Sequence, residues 1–91
     1  MLTEDVMTED RVLKDLCHAV GEALRAQRKD PDWEDSREYI TTLGGVLYRL
    51  GGLKAMDSAL WHVVDQLPEP HASRAIGIID HRWNGVGGWV S

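Results

Sequence analysis

The sequence predicts an all-α fold, a compact bundle of four helices around a central uncharged helix, followed by a short apolar C-terminal tail. Apolar residues recur at spacings of three and four over most of the chain, which is typical of helices. Ninety-one residues favour one domain, 1–91. The run YITTLGGVLY, residues 39–48, holds no charged side chain although 27% of the chain is charged. A helix without a charged face is usually packed on several sides, so this segment is the predicted central helix.

The first helix is predicted over about 8–28. Thr8 is suited to cap its N-terminus, and Glu9 and Asp10 suit the positive end of the helix dipole. A weak repeat, LTEDV then MTEDR, offers an earlier cap as well and leaves the translation start open between Met1 and Met7. The predicted apolar face consists of Leu13, Leu16, Cys17, Val20 and Leu24. Its cysteine is interpreted as a buried structural thiol.

The second helix is predicted over about 31–50, with Asp30 and Pro31 at its start. One face would carry the large apolar residues Tyr39, Leu43, Val46, Leu47 and Leu50. The opposite face, Thr41, Gly44, Gly45 and Tyr48, is small and uncharged. Trp33 is expected to close the base of the bundle as a lid.

Two glycine pairs mark the middle of the chain. Gly44 and Gly45 predict the close approach of a neighbouring backbone, since glycine inside a helix costs about 1 kcal/mol relative to alanine. Gly51 and Gly52 predict a helix stop and a turn before a third helix over about 53–66. The alternative is one continuous helix across both pairs, which would exceed thirty residues. The third helix would bury Leu53, Met56, Leu60, Val63, Val64 and Leu67.

The fourth helix is predicted over about 71–83, after Pro68 and Pro70 and before the cap signal Asn84-Gly85. Its predicted core residues are Ala72, Ala75, Ile76, Ile79 and Trp83. The tail, 84–91, contains three apolar residues and no charge. It either folds back on the bundle or inserts into another chain, anchored by Trp89. The second arrangement is expected, because the fourth helix already supplies Ile76, Ile79 and Trp83 to the core.

Charge is distributed unevenly around a net value of −5. Residues 1–35 contain ten acids and five bases, whereas residues 36–91 contain five of each. Without a basic stripe along the sequence to displace counterions, direct nucleic-acid binding is not expected. The acidic first third predicts a protein partner with a basic surface, contacted by Glu4, Asp5, Glu9 and Asp10.

The sequence offers no recognisable catalytic, metal-binding or cofactor-binding set. Its four histidines lack the spacings of metal motifs, and His18, His62 and His81 project away from the apolar stripes of their helices. The single cysteine favours a reducing compartment, and neither a membrane span nor an export signal is evident, which together predict a cytoplasmic protein. No enzyme activity is expected.

The leading hypothesis is therefore a non-enzymatic protein-protein interaction module, a small inhibitor or accessory protein that blocks a surface of a larger partner. Compact acidic proteins of this kind are common among phage and mobile-element products. Besides the N-terminal acids, the predicted partner-binding residues are Tyr48, Trp61, Trp89 and Val90. The alternative is a dimeric helix-turn-helix transcriptional regulator, built from residues 39–66 and reading DNA with Lys54, Asp57, Ser58, Trp61 and Asp65.

A homodimer is also predicted. The face formed by Thr41, Gly44, Gly45 and Tyr48 is smooth, and a four-helix monomer would have difficulty covering it.

Overall fold

The computed structural model describes residues 8–90 and contains three α-helices and no strand in that range. They are α1 (Glu9–Arg25), α2 (Asp32–Val64) and α3 (His71–Trp83). The all-α prediction is confirmed, but the predicted count of four helices is wrong. Two predicted helices, 31–50 and 53–66, form the single 33-residue α2.

A kink interrupts α2 at the glycine pair where the sequence predicts a turn. Gly51 (φ −157°, ψ 15°) and Gly52 (φ 74°, ψ −163°) are the two residues of α2 whose backbone angles are not helical. The positive φ of Gly52 lies in a backbone region that residues with a side chain rarely adopt, so glycine is required at this position. The chain thus changes its path within two residues and resumes the helix without an intervening loop.

The first helix begins at the predicted cap and ends earlier than predicted. The Thr8 hydroxyl accepts a hydrogen bond from the Arg11 amide at 3.3 Å. The helix stops at Arg25, because the chain becomes extended at Ala26 and then turns. In this turn the Asp30 carboxylate accepts a hydrogen bond from the Gln27 amide at 2.9 Å, a local pairing that competes with further helical hydrogen bonds.

The core is one apolar cluster to which all three helices contribute, with α2 in contact with both α1 and α3. On the N-terminal half of α2 the buried residues are Ile40, Leu43, Gly44 and Leu47. This face differs from the predicted one, since Tyr39 and Leu50 are 41% and 47% exposed. The difference arises because α3 packs on the face that contains Gly44.

Trp83 occupies the contact between α2 and α3. Its side chain is fully buried, and its indole Nε1 donates a hydrogen bond to the Ile40 carbonyl at 2.8 Å. A Cβ atom at Gly44 would lie 2.5 Å from the same Nε1. The predicted close approach at the first glycine pair is therefore present, but the neighbour is an indole ring rather than a backbone.

Helix α3 has the bounds predicted for the fourth helix, 71–83. The Glu69 carboxylate accepts hydrogen bonds from the Ser73 amide at 3.2 Å and from the Ser73 hydroxyl at 2.8 Å, which satisfies donors in the first turn. Its buried residues are Ala72, Ala75, Ile79 and Trp83, and Ile76 is half-buried against the core.

Candidate functional site

The C-terminal tail lies on the helical bundle of its own chain. Trp89 packs edge-to-face against Trp83, with ring centroids 5.1 Å apart and an interplanar angle of 86°. Its indole Nε1 donates a hydrogen bond to the Asp80 carboxylate at 2.9 Å. The described part of the tail, 84–90, therefore lies on α3, and the predicted insertion into a second chain is not the arrangement found. Trp89 is the anchor in either case.

Tight backbone turns allow this return. The Gly85 amide donates to the Trp89 carbonyl at 2.8 Å, and the Trp89 amide donates to the Val86 carbonyl at 2.9 Å. Gly87, at φ 59°, lies flat against the ring of Tyr48, where a Cβ atom would overlap the ring. The tail thus crosses the first half of α2 as well as α3.

Exposed apolar residues lie beside the docked tail and along the second half of α2. We call Tyr48, Leu53, Trp61, Trp89 and Val90 the apolar patch. Tyr48, Leu53 and Trp61 are 44%, 45% and 48% exposed, and Val90 is 84% exposed. Leu53 and Trp61 stand eight residues apart on the C-terminal half of α2, two helical turns along one face. A shallow pocket of about 360 Å³ opens among Leu53, Asp57, Gly88, Trp89 and Val90.

The apolar patch contains the four aromatic and apolar residues predicted to bind a partner. Tyr48, Trp61 and Val90 are exposed, and Trp89 is half-buried. Leu53, which was predicted to lie in the core, is exposed and is a further member of the apolar patch. Of the predicted acidic contacts, Glu9 and Asp10 are exposed in the first turn of α1. The other two, Glu4 and Asp5, lie outside the described residues.

The face predicted for self-association is largely occupied within the chain. Gly44 packs under Trp83, and Tyr48 packs against the tail. The Thr41 hydroxyl accepts a hydrogen bond from the Arg82 Nε at 3.2 Å. Only Gly45 of these four residues has open space beside its Cα. Because these contacts cover much of the face, it does not require a second copy of the chain, and the homodimer stays a prediction.

A second surface feature combines basic residues that are far apart in the sequence. An open pocket of about 410 Å³, which we call the arginine pocket, lies between the start of α2 and α3. Its lining residues are Arg28, Trp33, Arg37, Arg74, Gly77, Ile78, His81 and Arg82. Four guanidinium groups thus converge in a protein whose net charge is −5.

Trp33 and Arg37 form the floor of the arginine pocket. The Arg37 guanidinium lies 4.0 Å from the centroid of the Trp33 ring, and that of Arg28 lies 5.4 Å from it. Arg37 also donates a hydrogen bond to the Trp33 carbonyl at 3.2 Å. Trp33 therefore supports arginine side chains, rather than closing the apolar base of the bundle as predicted.

The arginines repel one another electrostatically. Burial lowers the pKa of Arg37, and the neighbouring charge of Arg82 lowers it further, while the carboxylate of Glu34 opposes both effects. Arg74 and Arg28 add smaller contributions in the same direction as Arg82. Glu34 accepts a hydrogen bond from Arg82 at 3.2 Å. Within residues 8–90, this is the one ion pair found for the four arginines, so most of the positive charge is uncompensated.

The sequence contains a signal for this pocket that the linear charge distribution does not reveal. Arg74, Ile78 and Arg82 repeat every four residues and therefore share one face of α3. Arg28 and Arg37 come from the α1–α2 connection and from α2. Only the packing of α3 beside α2 brings the two sets together.

The histidines and the cysteine, which are the side chains considered for catalysis or metal binding, do not form a common site among residues 8–90. All four histidines are exposed. Cys17 is half-buried against the core, and burial raises the pKa of its thiol, an effect that a hydrogen bond from Gln66 partly offsets. Across residues 8–90, no three His, Cys, Asp or Glu side chains come together in an arrangement able to hold a metal ion.

Comparisons with known proteins give no relative for this chain. No protein-family model, no curated protein and no solved structure matches it. Over the described range 8–90, no helix has both the length and the apolar character that crossing a membrane requires.

Proposed function

We propose that this protein is a non-enzymatic protein-binding module that occupies a surface of a larger partner, as a small inhibitor or accessory protein. The observation that supports the proposal is the apolar patch, in which Tyr48, Leu53 and Trp61 are each more than two-fifths exposed, and Tyr48 and Leu53 border the docked tail. Contiguous apolar surfaces on soluble proteins commonly mark interaction sites. Tryptophan and tyrosine are also enriched among the residues that dominate binding energy.

Within the apolar patch, Trp61 has the largest potential contribution to the free energy of partner binding. Its exposed fraction of 48% corresponds to about 120 Å² if a tryptophan side chain exposes about 250 Å² in all. Burial of that area at about 25 cal/mol per Å² contributes about 3 kcal/mol. This value is typical of an interface hot spot, so one substitution is enough for a test.

The chemistry of the pocket beside Trp89 favours a partner that presents a basic side chain among apolar ones. Asp57 lines this pocket with Leu53 and Val90, and it lies between Leu53 and Trp61 on the helix. A lysine or arginine could pair with the carboxylate while its aliphatic stem packs on the apolar walls. The acidic N-terminal third would attract the same partner at longer range.

The test is quantitative capture of partners from an extract of the native host with three immobilised proteins: the unmodified chain, Trp61→Ala and Tyr39→Ala. Tyr39 is the matched control because it is an aromatic residue of α2 that is 41% exposed and lies outside the apolar patch. We expect one protein to be enriched by the unmodified chain and by Tyr39→Ala, and to be lost with Trp61→Ala. Equal capture by all three proteins would contradict the proposal.

A dimeric helix-turn-helix regulator is the alternative function. The kink at Gly51 and Gly52 separates two helical segments, and the second exposes the residues that would face DNA. That set, Lys54, Asp57, Ser58, Trp61 and Asp65, has one base and two acids. This charge balance is unfavourable for binding in the major groove of DNA. Support for the regulator would require a mobility shift with duplex DNA that weakens as the salt concentration rises.

A further inference from the structure

We propose that the arginine pocket binds a small ligand that carries two or more linked phosphate groups. This inference goes beyond the proposed function, since the pocket and the apolar patch share no residues. Guanidinium groups pair with phosphate oxygens through two parallel hydrogen bonds, and here four of them surround one cavity.

The arrangement of the side chains resembles a binding site more than a set of structural salt bridges. Arg37 and Arg82 are half-buried and held by hydrogen bonds to protein carbonyls, so their positions are fixed before a ligand arrives. Arg28 and Arg74 are exposed and remain available to close on an anion from the outside. Donors that are already fixed reduce the ordering cost of binding, because their side chains need not be immobilised by the ligand.

The size and the walls of the pocket favour more than a single phosphate group. Its volume of about 410 Å³ lies within the usual range of small-molecule sites, about 300–1,000 Å³. The four arginines and the carboxylate of Glu34 leave a formal charge of about +3, which suits a chain of linked phosphates. Trp33 and Ile78 add apolar walls on which an organic part of the ligand could pack.

The surrounding charge favours a small ligand over a long polyanion. The adjacent surface between α1 and α2 carries the carboxylates of Glu22, Asp32 and Asp35. A nucleic-acid backbone leaving the arginine pocket in that direction would meet these like charges, whereas a compact ligand stays within the pocket.

The experiment is isothermal titration calorimetry at low ionic strength with sodium triphosphate, with ATP and with a short DNA duplex. The test variant is Arg74→Gln, since among residues 8–90 no hydrogen bond or ion pair is found for the Arg74 guanidinium, and this exposed side chain is not part of the core. The matched control is Arg49→Gln, which removes the same charge from an exposed residue of α2 outside the pocket. Circular dichroism verifies that both variants keep their helices.

We expect saturable binding of triphosphate at one site, with a dissociation constant raised about 10- to 100-fold by Arg74→Gln and nearly unchanged by Arg49→Gln. Equal binding of ATP and triphosphate would support recognition of the phosphate chain alone. Tighter binding of ATP, still dependent on Arg74, would support a nucleotide whose organic part also contacts the pocket. Absence of binding by both small ligands, equal weakening by both variants, or Arg74-dependent binding of the duplex alone would overturn the inference.

Discussion

The adjacent residues Gly44 and Gly45 provide a sharp test of the packing between α2 and α3. Replacing Gly44 by alanine puts a Cβ atom 2.5 Å from the indole Nε1 of Trp83, whereas a Cβ atom at Gly45 meets nothing within 4 Å. Trp83 cannot move away easily, because it is fully buried and hydrogen-bonded to the Ile40 carbonyl at 2.8 Å. The same chemical change at neighbouring positions is therefore expected to have opposite effects on stability.

The magnitudes follow from the contacts. Overpacking at Gly44 costs about 2 to 3 kcal/mol, and loss of the buried indole hydrogen bond costs a further 1 to 2 kcal/mol or so. The higher helix propensity of alanine offsets about 1 kcal/mol of this loss in stability. The free energy of unfolding should thus fall by about 2 to 4 kcal/mol in Gly44→Ala and rise by about 0.5 to 1 kcal/mol in Gly45→Ala.

Thermal and urea unfolding followed by circular dichroism measure both values. For a domain of this size, the loss in Gly44→Ala corresponds to a melting temperature lower by about 8 to 30 °C. The gain in Gly45→Ala corresponds to a rise of about 2 to 8 °C. Similar stability changes in the two variants would refute the contact between Gly44 and Trp83. A strong loss of stability in Gly45→Ala alone would instead indicate that Gly45 lies in an interface, as the sequence predicts for a dimer.

Three further predictions concern the tail, the thiol and the N-terminal charges. Trp89→Ala should lower the free energy of unfolding by about 2 kcal/mol, measured in urea, because it removes a half-buried ring and its hydrogen bond to Asp80; unchanged stability would show that the tail does not dock on the bundle. Cys17 should react with iodoacetamide at pH 7.5 more slowly than a free cysteine does, since burial raises its pKa and so lowers its thiolate fraction, and urea should abolish the difference. Once a partner is known, reversing the N-terminal acids should slow association at low salt, and an unchanged on-rate in stopped-flow mixing would assign them to capping and solubility alone. The acids to be reversed are Glu4, Asp5, Glu9 and Asp10.

The parts of the fold that depend on local chemistry could be predicted from the sequence. The bounds of α3, His71–Trp83, follow from the two prolines before the helix and the Asn-Gly pair after it. The start of α1 follows from the capping residue Thr8. The end of α1 could not be located in this way. It depends on a side-chain hydrogen bond from the Gln27 amide to Asp30, which is one of several local pairings open to the same residues.

The number of helices depends on geometry that residue type alone does not determine. A glycine pair can end a helix, or it can permit a kink between two helical segments. In this chain Gly51 and Gly52 make a kink, so that α2 continues to Val64. The buried face of α2 likewise depends on its neighbour, because Gly44 becomes part of the core only when the Trp83 ring lies over it.

The candidate surfaces divide in the same way. Trp61 and Val90 could be identified as exposed apolar residues from helical periodicity and from the composition of the tail. The arginine pocket could not, since Arg28 and Arg82 are more than fifty residues apart and meet only through the packing of α3 on α2. Contacts between residues so distant in sequence are set by tertiary packing, not by local propensity.

The paired indoles of Trp83 and Trp89 also give the tail an optical signature. Two aromatic chromophores held rigidly at 5.1 Å and nearly perpendicular couple their electronic transitions and contribute a distinct signal in the near-ultraviolet circular dichroism spectrum. Trp33 and Trp61 have no ring partner of this kind among residues 8–90. Release of the tail would therefore extinguish this signal while the far-ultraviolet helix spectrum persists, so tail docking can be followed in solution without a label.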